Sequence, residues 1–168
     1  TGPGTVRYDP TEARRLLAEA GFADASTFPR LDILFNVSES HRTIAEAVQQ
    51  MWKKNLNIDV KIQASEWQVY YPEVQKVQYQ IAQMGWGADY PDATNFLDFH
   101  FGSGASAQFG DGFPDIWEQL QSAAVLSTAE ERQPFYDAAN ELIKLHVPMI
   151  PVAHGGNGAA FKADVVGT

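Results

Sequence analysis

A chain of 168 residues in which 45% of the residues are hydrophobic can form one domain with a buried core. Its net charge of -9 argues against nucleic acid or an anionic membrane as a partner, because either would repel it. No apolar run approaches the ~20 residues of a transmembrane helix, and the absence of cysteine is compatible with an oxidising compartment.

The first part of the chain is predicted to alternate helices and strands. Asp9, Pro10 and Glu12 supply a helix cap, a proline at the first helical position and a carboxylate at the third, and Gly21 ends this helix. Alternating apolar residues predict strands, and apolar residues three or four apart predict a helix. The strands are residues 31–37 and 58–62, and the helix is residues 38–54.

The middle of the chain continues this alternation. Ser65 and Gln68 have the spacing of a capping box, which predicts a helix to about residue 76. A strand is predicted over residues 79–86, and Pro91 marks its end. Strands and helices that alternate in this way predict an α/β fold.

The C-terminal part is predicted to be mainly helical. Thr128 and Glu131 have the spacing of a second capping box, and Pro134 is expected to kink the helix that they open. The expected segments are helices over residues 92–100, 114–124 and 128–146, a mobile loop over 102–112, and a buried edge or crossover strand over 147–153.

The run over residues 85–97, Gly-Trp-Gly-Ala-Asp-Tyr-Pro-Asp-Ala-Thr-Asn-Phe-Leu, is the most informative part of the chain. Gly85 and Gly87 flank Trp86 at the end of the predicted strand, where they leave the backbone open to another main chain. Asp89 follows just beyond, and a partly buried carboxylate there can accept hydrogens from a cationic amine. The pattern predicts a ligand site at this end of the strand.

Several residues of this run also have a structural interpretation. Asp89 could cap the following turn or helix, as aspartate commonly does, and Trp86 could be a core residue instead of a ligand wall. Asp92 and Asn95 are expected to organise the turn and the helix start, because their side chains satisfy free backbone donors. They are therefore left out of the predicted ligand site.

The run resembles the corresponding segment of the extracytoplasmic solute-binding proteins of family 5, the dipeptide- and oligopeptide-binding receptors of ABC importers. Further blocks keep the family's order and approximate spacing. These blocks are residues 45–56, 58–60, 66–67 and 147–152.

All of these blocks match the C-terminal part of much longer chains. The resemblance therefore implies one lobe of a two-lobed receptor, of the type II periplasmic-binding-protein kind, with a mixed sheet flanked by helices. Residues 8–168 are expected to form this single α/β lobe, and residues 1–7 a linker or a cloning remnant. The N-terminal lobe would be missing from the sequence.

The resemblance also implies ligand contacts. In these receptors the aspartate that matches Asp89 binds the ammonium group of a peptide, and the backbone equivalent to Gly85 through Gly87 pairs with the ligand as an added strand. His41 matches a family histidine that can meet a ligand carboxylate, although it also suits a solvated position in a helix's first turn. Gln83 stands where close relatives have an arginine, so the preferred peptide length stays open.

The implied receptor binds a short peptide between two lobes and delivers it to a membrane permease, with no cofactor. It would be periplasmic or extracellular and associated with the membrane. An oligosaccharide or a metal chelate, as carried by other members of the family, remains an alternative ligand. A purely structural or docking lobe is a further alternative.

An enzyme is the competing class, and little in the sequence supports it. No Gly-x-Ser-x-Gly elbow, phosphate loop or dinucleotide fingerprint is present, and there is no cysteine nucleophile. The four histidines lack the short spacing that holds a zinc ion. Asp89 and Asp92 could be an acid and base of a hydrolase, but no second catalytic element accompanies them.

Overall fold

The computed structural model describes residues 7–102 and 112–153, in which a parallel sheet carries helices on both faces and three further helices pack together. The strands are β1 (Leu31–Asn36), β2 (Val60–Ser65) and β3 (Ile81–Ala82). The helices are α1 (Pro10–Glu19), α2 (Glu39–Leu56), α3 (Trp67–Gln75), α4 (Thr94–Phe101), α5 (Pro114–Ala124) and α6 (Ala129–His146). A short 3-10 turn spans Ala25–Thr27. The predicted α/β class is confirmed.

The strand order is β2-β1-β3, and β1 pairs in parallel with both neighbours. Leu31 lies opposite Val60 at the start of the β1–β2 pair, and Asn36 lies opposite Ser65 at its end. The predicted mixed sheet would need an antiparallel strand, and residues 7–102 and 112–153 contain none. Because the strands are parallel, their carboxyl ends meet at one edge, where ligands of open α/β sheets commonly bind.

Alternation along β1 builds a core on each face of the sheet. Ile33 and Phe35 are 4% and 1% exposed and pack towards α1 and α2. Leu34 points to the opposite face, where it packs with Tyr70 and Val74 of α3. A fully buried side chain of this size contributes about 1.5–3 kcal/mol through the hydrophobic effect. The β1 strand is therefore the centre of this layered unit.

A second core lies between α4, α5 and α6. Its buried members are Leu97, Phe101, Ile116, Leu120, Ala123, Tyr136, Ala139 and Ile143. These residues recur three or four positions apart along each helix, so each helix presents one apolar stripe to its neighbours. The segment between β3 and α4 thus joins the sheet to this three-helix group.

Two of the predicted helix caps are confirmed. The Asp9 side chain accepts a hydrogen bond from the backbone N–H of Glu12 at 3.1 Å. Thr128 and Glu131 form a complete capping box at the start of α6. The predicted Ser65 cap is wrong, because Ser65 ends β2 and its carbonyl accepts from the Val37 N–H at 2.9 Å.

Both of the later predicted strands need correction. The strand expected over 79–86 is reduced to Ile81–Ala82, and the Gln83 N–H adds one more bond to the Leu34 carbonyl at 2.9 Å before the chain leaves the sheet. No strand forms over 147–153. Val147 instead caps α6 with a left-handed backbone, φ 51°, and the prolines that follow lack the N–H that a strand ladder uses.

Two further expectations concern the helical part of the chain. The α6 helix continues through Pro134, and the kink expected there stays a prediction. The loop expected to be mobile over 102–112 falls mostly outside the described residues.

Candidate functional site

The predicted ligand site lies at the carboxyl edge of the sheet, in the segment that leaves β3. This segment has no regular secondary structure between residues 83 and 88. The first turns of α2 and α3 follow the carboxyl ends of β1 and β2 at the same edge. The segment with Gly85, Trp86, Gly87 and Asp89 therefore begins at the carboxyl end of β3, where the sequence predicts the ligand site.

Asn95 of α4 holds the backbone and the indole of this segment in place. Its Oδ1 atom accepts hydrogen bonds from the Trp86 Nε1 at 2.8 Å and from the Asp89 backbone N–H at 3.2 Å. Asn95 is fully buried, and a buried acceptor that serves two donors fixes both of them. The prediction that Asn95 organises the turn is confirmed, and its bond to the indole is an addition that the sequence did not indicate.

Trp86 is half-buried and makes a second contact with α4. Its ring meets His100 edge to face, with the ring centroids 5.3 Å apart, and His100 is only 6% exposed. The indole is therefore anchored on one side by packing and on the other by the Asn95 amide. Such a fixed aromatic with remaining exposure could form one wall of a ligand site.

Asp89 is exposed, and its carboxylate makes no hydrogen bond or ion pair within the part of the chain that the structure describes. It is not the cap of the following helix: Ala93 occupies that position, and Asp92 supplies the carboxylate that bonds the first turn. The capping interpretation of Asp89 is therefore wrong. A fixed backbone with a free carboxylate can receive an external cation.

Gly85 and Gly87 are exposed, and a Cβ atom built at either one would meet no atom within 4 Å. In the described ranges their backbone groups form no hydrogen bond. The fold itself therefore does not require glycine at these positions. The open backbone does leave room for a second main chain, which can add to an exposed strand end through its own N–H and C=O groups.

Asp92 organises the turn between Asp89 and α4, as predicted. Its Oδ1 accepts from both the backbone N–H and the hydroxyl of Thr94 at 3.0 Å, and its Oδ2 pairs with Arg132 Nη2 at 2.6 Å. The Thr94 N–H and then the Arg132 guanidinium lower the pKa of the Asp92 carboxyl. Because Asp92 is committed to these partners, it does not form an acid–base pair with Asp89.

His41 lies in the first turn of α2 and is half-buried. Its Nδ1 bonds the Asn36 side-chain oxygen at 2.7 Å. Within residues 7–102 and 112–153 it makes no hydrogen bond, ion pair or ring contact to the Gly85–Asp89 segment. The sheet thus puts His41 at the same edge without joining it to the other predicted residues.

The aromatic residues that begin α3 have two different environments. Tyr70 is 1% exposed and donates a hydrogen bond to the Gln83 carbonyl, so it is a packing residue. Trp67 is 55% exposed and stacks on Tyr71 with centroids 5.3 Å apart. Trp67 therefore packs against Tyr71 while more than half of its surface stays exposed.

The described residues hold no cluster of three or more side chains suited to a metal ion. A cavity of about 420 Å³ lies elsewhere, on the α3 face of the sheet towards the amino ends of β1 and β3, and contains no predicted site residue. None of the described helices is long and apolar enough to span a bilayer.

Comparisons with known proteins agree with the fold. The family "Bacterial extracellular solute-binding proteins, family 5 Middle" matches residues 1–108. The oligopeptide-binding protein OppA of Bacillus subtilis is 34% identical over 137 residues, which are 81% of this chain and 25% of that protein. The periplasmic murein peptide-binding protein MppA of Escherichia coli is 32% identical over 153 residues, which are 90% of this chain and 28% of that protein.

A solved structure shows the same architecture. The dipeptide-binding protein of a Pseudoalteromonas species, in complex with Met-Leu, superposes with a TM-score of 0.77 at 27% identity, covering 92% of this chain and 31% of that one. This chain spans about a quarter of the length of the curated relatives named above. The family consists of substrate-binding receptors, and the match over residues 1–108 shows that the chain belongs to the bacterial extracellular solute-binding proteins of family 5.

Proposed function

We propose that this chain is part of one lobe of a receptor that captures short peptides and delivers them to the permease of an ABC importer. The observation that carries the proposal is the free carboxylate of Asp89, whose backbone Asn95 fixes beside the open main chain of Gly85 and Gly87. A second lobe would close over the bound peptide by a hinge motion.

The chemistry of a peptide terminus matches these groups. A free α-amino group is cationic, and a carboxylate accepts its hydrogens with charge assistance. The ligand backbone would pair with the main chain near Gly85 and Gly87, as in strand addition. Recognition of this kind reads the terminus and the backbone, so it leaves the side chains of the peptide largely unread.

The relatives support the same ligand class, since their names describe oligopeptide and murein peptide binding. The name of MppA also describes that protein as periplasmic, so we propose that the whole receptor lies outside the cytoplasm, in the periplasm or at the outer face of the membrane. We propose that it binds without catalysis and needs no cofactor. Oligosaccharides and metal chelates are the alternative ligands, and neither would need the ammonium contact.

The test compares the affinities of trialanine and N-acetyl-trialanine for the full-length receptor by titration calorimetry. Asp89→Asn removes the charge and should weaken trialanine by about ten- to a hundredfold, the range of a charge-assisted hydrogen bond. It should leave the acetylated peptide nearly unchanged. Asp59→Asn is the matched control, because Asp59 pairs with Lys53 at 2.7 Å in the connection that leads into β2.

Equal losses for the two peptides, or no loss for either, would refute the assignment of Asp89 as the amine site. Native mass spectrometry of the receptor purified without denaturation would identify the class of ligand independently. Masses of short peptides support the proposal, whereas a sugar or chelate mass contradicts it.

A further inference from the structure

The turn that carries Asp89 is tied to a helix far away in the sequence. Arg132 of α6 pairs with Asp92 through an Nη2–Oδ2 contact of 2.6 Å, although the two residues are 40 positions apart. About three quarters of each side chain is covered, the exposed fractions being 23% and 27%. This pair is better shielded from solvent than an ordinary surface ion pair, which contributes little.

Asp92 is the centre of the turn that this ion pair holds. Its backbone N–H donates to the Tyr90 carbonyl at 2.9 Å, and its own carbonyl accepts from the Asn95 N–H at 3.1 Å. Its Oδ1 accepts hydrogen bonds from both the backbone N–H and the hydroxyl of Thr94. Since Asn95 in turn holds the Asp89 backbone, a displacement of Asp92 would be passed on to Asp89.

Arg132 is itself fixed by the three-helix core. Its Nη1 donates to the Tyr136 hydroxyl at 3.2 Å, and its guanidinium carbon lies 5.6 Å from the centroid of the Tyr136 ring. Tyr136 is 6% exposed and belongs to the core between α4, α5 and α6. A planar guanidinium can meet Asp92 and Tyr136 at once, which the single ammonium of lysine cannot do as well.

A second carboxylate lies near this ion pair. Asp98 of α4 has a buried Oδ1 with no hydrogen-bond partner in the described part of the chain. Burial raises the pKa of Asp98, and the nearby charge of Asp92 raises it further. Because Arg132 pairs with Asp92, its cation offsets the negative charge that Asp92 brings close to Asp98.

We propose that Arg132 is a positioning residue for the peptide-amine site: it fixes Asp92, and through the turn it sets where the Asp89 carboxylate stands. The inference rests on the proposed function. Its expected signature is a selective one, because the acetylated peptide does not use the Asp89 charge. Loss of Arg132 should therefore weaken the free-amine peptide more than the acetylated one.

The experiment again compares trialanine with N-acetyl-trialanine on the full-length receptor. Arg132→Met should weaken trialanine by about tenfold, less than Asp89→Asn does, because a carboxylate is still present but poorly placed. Arg132→Lys should recover part of the loss. Lys144→Met is the matched control on α6, since Lys144 pairs only weakly with Glu141 at 3.5 Å.

A double-variant cycle distinguishes action through Asp92 from a general loss of structure. Asp92→Asn should resemble Arg132→Met, and the two changes combined should cost no more than either alone. If Arg132→Met does not fold, Arg132→Lys and Asp92→Asn provide the same comparison. Additive losses, or equal losses for the two peptides, overturn the inference.

Asp89→Asn separates failure of this inference from failure of the proposed function. If Asp89→Asn is selective for the free amine and the Arg132 variants are not, only the positioning role is refuted. If Asp89→Asn is itself unselective, the proposed amine site and the role of Arg132 are both refuted.

Discussion

Replacing Asn95 by leucine should loosen the Gly85–Asp89 segment without leaving a large cavity. The change removes the acceptor that serves the Trp86 Nε1 and the Asp89 N–H. A typical hydrogen bond contributes about 0.5–1.5 kcal/mol net, and an orphaned buried donor costs about 1–3 kcal/mol. Asp89 is exposed, so water can replace its bond, whereas the half-buried indole is harder to satisfy. Leucine also removes the penalty of the Asn95 Nδ2, which is buried without a partner among the described residues, so we expect a net loss of only about 1 kcal/mol.

The assay is urea unfolding of the 168-residue chain, followed by circular dichroism. With a slope of about 2 kcal/mol/M, this loss lowers the midpoint by about 0.5 M. Asn140→Leu on α6 is the control, because the Asn140 side chain has no hydrogen-bond partner among residues 7–102 and 112–153. Midpoints that shift equally in both variants would refute the view that Asn95 Oδ1 holds the segment.

Gly102→Ala should lower the free energy of unfolding by about 1–3 kcal/mol, because its Cβ would lie 2.4 Å from the Asp98 carbonyl oxygen. Gly87→Ala, whose Cβ meets open space, should change it by less than about 0.5 kcal/mol in the same urea assay. A third prediction concerns alkaline pH. Burial raises the pKa of Tyr70 from 10.0 to about 12 in the folded chain. As pH rises, Tyr70 therefore loses its proton first in the unfolded state, and the free energy of unfolding falls between about pH 10 and 12. Tyr70→Phe should reduce the loss of stability with pH, measured by urea unfolding at several alkaline pH values. An unchanged dependence of stability on pH would contradict the role of the Tyr70 hydroxyl.

Local signals predicted the helix ends well, because a cap depends on a few neighbouring residues. Asp9 and Thr128 make the side-chain bonds that their positions indicate. Ser65 shows the limit of this reasoning: its spacing to Gln68 fits a cap, but pairing with β1 extends β2 through it. The tertiary contact therefore overrides the local pattern.

The predicted strands were less accurate, since strand length depends on partners that are distant in the sequence. The sequence predicts that the residues after Ala82 stay in the sheet. In the structure, Trp86 and Asp89 instead donate hydrogen bonds to Asn95 of α4. Val147 ends α6 in a left-handed conformation, and Pro148 and Pro151 then lack the N–H that strand pairing uses.

The site shows the same division between local and distant signals. Asp92 and Asn95 were predicted as turn-forming residues because aspartate and asparagine bond nearby backbone groups. The sequence does not predict a role for Arg132, because nothing around it indicates a partner 40 residues earlier. Only the packing of α6 beside the turn brings the two charges together.

The Gly85–Asp89 segment therefore takes its geometry from the three-helix group more than from the sheet. Among the residues that the structure describes, no ladder bond to β1 continues beyond Gln83, and the segment is held by Asn95 and His100 on α4. Arg132 connects this support to α6. This support leaves the main chain of Gly85 and Gly87 open towards the described residues and still preorders the segment, which lowers the entropy cost of binding a flexible ligand.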